Sequence, residues 1–270
     1  MFPVILARAR MPVIVIGLLL AVGEFVHRLE WLSVAGIVLF LAGFASTFLP
    51  TGSVRRRPIP VASPVRGRWL AVNSPADKVP SHGVHAYGQT YAVDLVHWPD
   101  ENTEWKPVVS RPLMSRPETF PGFGSPVHAP AAGTVVRARD FWRDHLSRNS
   151  WPALVYVMIE GFVRELTGPS GVLGNHVILD LGDGVYAAFA HLRRGSVQVR
   201  KGERVEAGRL IGQCGNSGNS SEPHLHFQLM DNPHPSIAAG LPFTFEETLS
   251  DGTTHHRVPS KDEPLLSPSR

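Results

Sequence analysis

The chain opens with two long apolar stretches separated by a short polar segment. Residues 11–26 are almost wholly apolar until Glu24, and residues 31–49 carry no charge. The second stretch is about long enough to cross the hydrocarbon core of a membrane as a helix, and the first is marginal. No small-residue cleavage site is obvious after the first stretch, which favours a retained anchor over a cleaved signal peptide. We therefore predict a membrane anchor over residues 1–52, with one or two transmembrane helices that form an N-terminal hairpin.

The hydrophobic pattern changes again in three later segments. Residues 53–68 are rich in Pro and Arg and predict a linker. Apolar residues recur at largely helical spacing over residues 140–172, which predicts a helical insertion whose apolar face packs against the protein. A lid over a groove is a second interpretation of this insertion. The tail, residues 249–270, is polar and contains prolines, and we expect it to be flexible.

Between these segments, short apolar runs alternate with glycine turns. After Gly174 the pattern predicts strands at 177–181, 185–191, 197–199, 210–213 and 225–230. The 25 glycines and 24 prolines favour many turns, as in a β-rich protein. The fold class predicted for residues 69–248 is therefore mainly β, a compact antiparallel β-sheet domain that contains the helical insertion.

Charge and cysteine content exclude several classes of function. The net charge of +3 is too small to indicate a nucleic-acid-binding protein. Cys214 is the single cysteine, so an intrachain disulfide and a cysteine-based zinc cluster are excluded. Its position after an apolar strand favours a small buried side chain over a nucleophile.

The most informative motif is Pro223-His224-Leu225-His226-Phe227-Gln228. On a β-strand, residues two apart point to the same side. His224, His226 and Gln228 would then share one face, while Leu225 and Phe227 pack into a core. Two imidazoles held on a rigid strand suit a metal ion or a reacting carbonyl, although a lone His-x-His pair is also common on protein surfaces.

Four further segments precede this motif. They are a turn and strand at 124–136, a strand that opens at Gly174-Asn175-His176, a strand at 186–192 that carries His191 near its end, and a hairpin at 199–212. In this order the segments closely resemble the LytM/lysostaphin-type zinc metallopeptidases, peptidase family M23, over roughly residues 69–245. The resemblance implies a β-rich catalytic domain with one zinc ion in a groove. It also implies that a zinc-activated water hydrolyses peptide bonds of bacterial peptidoglycan.

The resemblance also implies a set of site residues. Asp94 and His226 match zinc ligands of the family, and His191 and His224 match the two histidines that flank the reacting water. We expect His191 to act as general base and His224 to stabilise the oxyanion, although these roles could be exchanged. Two imidazoles and one carboxylate would leave a fourth zinc position open, as is usual in catalytic sites.

The third zinc ligand is where the sequence departs from the family. The family usually carries a histidine four residues before the aspartate, and this chain has Thr90 there. We prefer His82 as the replacement, because a Pro-Ser-His-Gly turn can hold an imidazole in place. His85 remains an alternative. His97 is a weaker candidate, since on a strand it would face away from Asp94.

The predicted function is therefore that of a membrane-anchored zinc metalloendopeptidase whose partners are peptidoglycan peptides and the lipid bilayer. A degenerate, non-catalytic cell-wall binding or regulatory module is the alternative, which Thr90 favours. A third interpretation is a carrier domain of the lipoyl or phosphocarrier kind. A lipoyl carrier needs an exposed lysine at a hairpin tip, and the nearby candidate, Lys201, is better explained as an ordinary turn residue.

Arginines flank the apolar region at both ends, which would favour a cytoplasmic domain. Because peptidoglycan lies outside, we nevertheless predict a location at the cell membrane with the peptidase domain extracytoplasmic.

Overall fold

The structure is a computed structural model of the 270-residue chain. It describes residues 2–27, 29–52, 56–98, 114–148, 150–248, 253–261 and 263–267. The described residues form mainly antiparallel β-sheets, with helices at the N-terminus and in one insertion.

Five helices lie in the described part of the chain. They are α1 (Phe2–Arg8), α2 (Arg10–His27), α3 (Glu30–Ala45), α4 (Trp151–Leu166) and α5 (Pro169–Leu173). Helices α2 and α3 lie against each other, and a Cβ atom on Gly36 would come within 2.6 Å of the backbone nitrogen of Ala21. Glycine is therefore needed at this position for the two backbones to approach so closely.

One helical stretch among the described residues, Glu30–Phe48, is long and apolar enough to cross a membrane. It consists of α3 and a following turn of 3-10 helix. The apolar part of α2, Arg10–Gly23, is shorter. The region is tied to the β domain, because the Thr51 hydroxyl donates to the backbone carbonyl of Ala238 over 2.5 Å.

Fourteen strands lie in the described residues. They are β1 (Ile59–Ala62), β2 (Gly67–Val72), β3 (Val93–His97), β4 (Pro126–His128), β5 (Gly133–Arg139), β6 (Asn175–Gly182), β7 (Val185–Leu192), β8 (Arg204–Val205), β9 (Leu210–Gln213), β10 (Leu225–Met230), β11 (Gly240–Leu241), β12 (Phe243–Thr248), β13 (Thr254–Arg257) and β14 (Pro264–Ser267). The main sheet has the order β14-β2-β3-β10-β7-β6-β5-β8, and β11 pairs with β10. Strands β1, β12 and β13 form a second sheet, and β4 pairs with β9.

One face of the main sheet packs against the second sheet to form the core. The alternate residues Leu225, Phe227 and Leu229 of β10 are fully buried in this core. Phe227 contacts the rings of Phe189 and Phe245. Burying side chains of this size stabilises the fold by about 1.5–3 kcal/mol each. The core thus fixes which face of β10 carries its polar residues.

The structure differs from the sequence expectations in the predicted linker and tail. Strand β1 lies inside the predicted linker and pairs in parallel with β12. Strands β13 and β14 lie inside the predicted flexible tail, where Leu265 is fully buried. Such short strands are fixed by distant pairing partners, which local composition does not reveal. Residues 53–55, 249–252, 262 and 268–270 of these segments lie outside the described residues.

Two further expectations also need correction. Residues 197–199 form no strand. In the predicted insertion, helices begin only at Trp151, because side chains hold the preceding segment to neighbouring loops. Asp140 accepts from the backbone N–H groups of Gly195 and Val197, and Asp144 accepts from that of Asn216.

Candidate metal and catalytic site

Strand pairing places the first two site residues side by side. In the register of β3 and β10, Asp94 lies directly opposite His226. Asp94 Oδ1 is 2.8 Å from His226 Nδ1. Both side chains are buried on the sheet face opposite Leu225 and Phe227. The alternation along β10 therefore produces the arrangement expected from the His-x-His motif.

Hydrogen bonds on the far side of His226 determine which ring nitrogen carries a proton. The Gln228 amide donates from Nε2 to the backbone carbonyl of Tyr87 over 2.8 Å, which directs its Oε1 toward His226. His226 Nε2–H then donates to Gln228 Oε1 over 2.9 Å. In the neutral ring the other nitrogen, Nδ1, carries a lone pair. That lone pair faces a carboxylate oxygen of Asp94.

His82 meets the second oxygen of Asp94 in the same way. The Ser81 hydroxyl donates to the backbone carbonyl of Gln89 over 3.2 Å, so its oxygen is free to accept from His82 Nδ1–H at 3.0 Å. His82 Nε2 lies 3.0 Å from Asp94 Oδ2. In the neutral ring this nitrogen is again an acceptor that faces an acceptor. A cation shared between the ring and the carboxylate, either a proton or a metal ion, makes such a contact favourable.

His191 and His224 complete the cluster. His191 Nδ1–H donates to the backbone carbonyl of Ser217 over 2.8 Å. His224 Nδ1–H donates to that of Glu222 over 2.8 Å, and its Nε2 lies 3.5 Å from Asp94 Oδ1. The centroids of the two rings are 4.8 Å apart. In both histidines Nε2 therefore points away from the backbone carbonyl that binds Nδ1. The Nε2 atom of His224 faces Asp94.

Burial and mutual charge drive the pKa values of these groups apart. Burial alone would raise the pKa of Asp94, but the charges of His82 and His224 hold it well below its usual range. Burial, together with repulsion from His224 and His226, lowers the pKa of His191 well below its usual value. Burial also opposes the charged form of His224, but the Asp94 carboxylate outweighs it and raises the pKa. Such opposite shifts in neighbouring groups are typical of acid–base sites.

The donor set fits a divalent cation. Among the residues that the structure describes, His82, Asp94 and His226 form one group whose ligand atoms all lie within 4.8 Å of one another. Two imidazole nitrogens and one carboxylate oxygen form a donor set that zinc accepts in catalytic sites. The two close contacts between ring nitrogens and the Asp94 carboxylate fit a cation at this point, either a proton or a metal ion.

The cluster opens into a cleft of about 270 Å³. Asn73 and Asn219 contribute polar walls, and Leu154 and Val157 of α4 contribute an apolar wall. Asn73 also donates from Nδ2 to Asp94 Oδ2 over 2.9 Å. An extended peptide laid along this cleft would contact the histidines on one side and α4 on the other.

The other candidate histidines lie outside this cluster. His85 bonds through Nδ1 to the Thr90 hydroxyl at 3.0 Å. His97 stacks on Trp69 at 4.7 Å between ring centroids, in agreement with a side chain that faces away from Asp94. His176 donates through Nδ1 to the backbone carbonyl of Gly174, and burial lowers its pKa to about 4. Burial raises the pKa of the Cys214 thiol, as expected for an inert side chain.

Sequence reasoning missed the residues that orient the cluster. Asn73 lies 21 positions before Asp94, and nothing local connects the two. The alternation along β10 predicts the correct face for Gln228 but no role for it, and the sequence around Ser81 indicates only a turn. The Gln228 position carried a usable signal, since a polar residue that continues the His-x-His face must also be satisfied when it is buried.

A buried cluster of three histidines around one carboxylate, with a fourth histidine at its edge, is typical of metal-dependent hydrolases. The model of peptidase family M23 matches residues 147–236. Residues 147–236, a third of the chain, are therefore similar to this family. The matched segment includes His191, His224 and His226, whereas His82 and Asp94 precede it.

The similar curated proteins are peptidases. Glycyl-glycine endopeptidase ALE-1 of Staphylococcus capitis is 40% identical over 81 residues, which cover 30% of this chain and 22% of that protein. Lysostaphin of Staphylococcus simulans is 39% identical over 80 residues, which cover 29% of this chain and 16% of that protein. Peptidoglycan DD-endopeptidase ShyA of Vibrio cholerae is 32% identical over 90 residues, which cover 33% of this chain and 20% of that protein. The aligned segments thus span about a fifth of these relatives.

Solved structures include the catalytic domain of lysostaphin from Staphylococcus simulans, with a TM-score of 0.33 and 21% identity. That alignment covers 67% of this chain and 84% of the lysostaphin domain.

Proposed function

We propose that this chain is a membrane-anchored zinc metalloendopeptidase that hydrolyses peptide bonds of bacterial peptidoglycan. The observation that carries the proposal is the convergence of His82, Asp94 and His226 in one buried cluster, where their ligand atoms all lie within 4.8 Å of one another. The family match and the relatives support the hydrolase class. The names of these relatives refer to cleavage of different peptide bonds. The proposed substrate is therefore the class of peptidoglycan peptides and not one particular bond.

His82, Asp94 and His226 would hold the zinc ion. The chemistry that zinc supplies in such sites is polarisation of the scissile carbonyl and acidification of water. Asn73 and Gln228 would keep the carboxylate and the imidazole oriented, as outer partners do in metal sites. His82, from a preceding turn, would thereby take the place of the histidine that the family usually carries at the position of Thr90.

His191 would act as the general base. Its Nδ1–H is held by the carbonyl of Ser217, so its Nε2 is free to take a proton from the attacking water. The lowered pKa keeps the ring neutral at pH 7, as a base requires. Proton transfer of this kind contributes about 10²–10⁴-fold to a rate.

His224 would stabilise the charge that develops on the carbonyl oxygen. Its raised pKa favours the protonated ring, and Nε2 is its only nitrogen not held by a backbone carbonyl. A donor already aimed at a developing oxyanion is worth about 2.7–4 kcal/mol in other enzymes. The opposite pKa shifts of His191 and His224 in the metal-free chain agree with this assignment of roles.

The membrane part of the proposal rests on Glu30–Phe48. With α2 packed beside it, this helix would form an anchor of one or two crossings. We place the peptidase domain outside the cytoplasm, where peptidoglycan lies. Fusing alkaline phosphatase, which is active only outside the cytoplasm, to the C-terminus tests this location. Activity of the fusion is expected, and an inactive but intact fusion would contradict it.

Peptidoglycan digestion by the full chain tests the catalytic proposal. The wild type should release new amino groups from purified sacculi, and Asp94→Asn should lose at least about 10³-fold of that rate, on the order of 4 kcal/mol. Asp183→Asn makes the same chemical change at an exposed turn and should keep the wild-type rate.

The non-catalytic alternative predicts a different result. Thr90 is the observation that favours it, since this hydroxyl bonds to His85 and not to Asp94. In that case the wild type would digest sacculi no faster than Asp94→Asn does, although both variants bind them.

A further inference from the structure

Helix α4 is amphipathic, but its charged face is turned toward the protein and its apolar face toward the outside, the opposite of a surface helix on a soluble domain. Its charged residues point toward the rest of the protein: Glu160 pairs with Arg148 and Arg164, and Glu165 pairs with Arg10. Most of its large apolar residues point outward. They include Trp151, Val155, Met158, Ile159, Phe162 and Val163, of which Met158 is 75% exposed.

This outward face is uncharged over the whole length of the helix. A surface helix normally buries its apolar stripe and presents its charges to water. Large contiguous apolar surfaces mark interaction sites with proteins or membranes. The expectation from the sequence, that the apolar face of the insertion packs against the protein, is therefore wrong.

The apolar face continues onto the candidate membrane span. The ring of Phe162 contacts the ring of Phe40 of α3, with centroids 6.2 Å apart. Helix α3 itself presents exposed apolar residues, including Val38 and Leu41. The ion pair between Arg10 of α2 and Glu165 of α4 joins the same two regions. Helix α4 therefore meets the helical pair at its domain-facing end.

The contact also sets the depth of α4. Phe40 precedes Ala45, the end of α3, by five residues and Phe48, the end of the candidate span, by eight, or about 8–12 Å at a rise of about 1.5 Å per residue. Amphipathic helices in the plane of a membrane bury their apolar face about 5–10 Å into the boundary between headgroups and acyl chains. Trp151 and Tyr156 on the same helix are side chains that favour this boundary.

We propose that α4 lies in the lipid interface and holds the catalytic cleft against the membrane surface. The proposal rests on the membrane anchoring proposed above, because α3 defines the position of the bilayer. The inner side of α4, at Leu154 and Val157, lines the cleft that contains His82 and Asp94. One helix, about 10 Å across, would then separate the lipid from the site.

This position restricts the substrate. A cleft within one helix diameter of the lipid would act on peptide chains that lie next to the membrane. Peptides in distant layers of the wall would be out of reach of a short anchor. The insertion thereby acts as a spacer that fixes distance from the membrane, and the lid interpretation is not needed to explain its apolar residues.

Spin labels on introduced cysteines test the proposal in the full chain. Cys214 is fully buried, so a thiol reagent should label only the introduced residue. The variants Met158→Cys, Val38→Cys and Lys201→Cys are reconstituted in vesicles of phosphatidylcholine and phosphatidylglycerol. Collision with oxygen, which concentrates in lipid, is compared with collision with a water-soluble nickel chelate. Val38 reports on the anchor, and Lys201 lies at an exposed turn of the β domain.

The expected result is a ratio of oxygen to nickel collisions at Met158→Cys that shifts to the lipid side, close to that of Val38→Cys and opposite to that of Lys201→Cys. A lipid-like ratio at Val38 with a water-like ratio at Met158 would overturn the inference and leave the anchor intact. Water-like ratios at both would overturn the anchor as well. Spectral broadening at Met158 that disappears on dilution with unlabelled protein would overturn it in favour of a second copy of the chain.

Discussion

The two sides of the cleft are built in opposite ways. The floor, formed by Asp94, His191, His224 and His226 on or beside strands β3, β7 and β10, turns its polar groups toward one another in a buried space. The wall, helix α4, turns its charged groups inward to ion pairs and most of its large apolar groups outward. The floor gains its chemistry because two ring nitrogens converge on the buried Asp94 carboxylate, where a metal ion would bind. The wall has no polar group aimed at the cluster, and its role is to set where the floor is placed.

Removing His191 is expected to cause the largest loss of activity in the floor. His191→Ala should lower the turnover number by about 10²–10⁴-fold, because the general base is lost. Zinc content by atomic absorption should stay at the wild-type level, since His191 is not one of the three proposed ligands. His256→Ala, at an exposed histidine, serves as control. Loss of zinc together with activity would instead assign His191 to the ligands.

Breaking the ion pairs of the wall should cost stability. Glu160 bridges Arg148 and Arg164, and the Arg148 side chain is largely buried. Glu160→Gln leaves that charge without its partner and should lower the free energy of unfolding by about 3 kcal/mol. Urea denaturation of the full chain measures this value. Glu118→Gln, at an exposed acid, should change it by less than about 0.5 kcal/mol, and an equal effect of both substitutions would contradict the account of the wall.

The smallest effect is expected when the residue that orients the ligand His226 is replaced. Gln228→Leu removes the acceptor that holds the His226 ring. Zinc affinity, measured by competition with a chelating dye, should fall by about 10–100-fold. The exposed Gln198 provides the matched control, Gln198→Leu. Unchanged affinity in Gln228→Leu would show that core packing alone orients His226.

Alternation along one strand was enough to predict half of the floor. It placed His224 and His226 on one face and Leu225 and Phe227 in the core, because the side-chain period of a strand is 2. Asp94 was identified through the family resemblance, and the sheet register places it opposite His226. His82 could be selected only as a nearby histidine in a turn, since local sequence does not specify how a turn folds back onto a sheet.

The wall was harder to predict for a physical reason. Helical periodicity separates an apolar side of α4 from a polar side, but the period is the same whichever side faces the protein. The orientation depends on Arg148 and Arg10, which lie outside α4 and form ion pairs with it. Asn73 was missed for the same kind of reason, because its link to Asp94 exists only after the chain has folded.

Anomalous diffraction at the zinc edge from crystals of the full chain tests the central claim most directly. The account predicts a single peak bonded to His82 Nε2, a carboxylate oxygen of Asp94 and His226 Nδ1, at zinc–nitrogen distances of about 2.0–2.1 Å. A peak bonded to His85 in place of His82 would contradict the assignment of the third ligand. No peak at this cluster in crystals grown with zinc would contradict the proposed hydrolase as a whole.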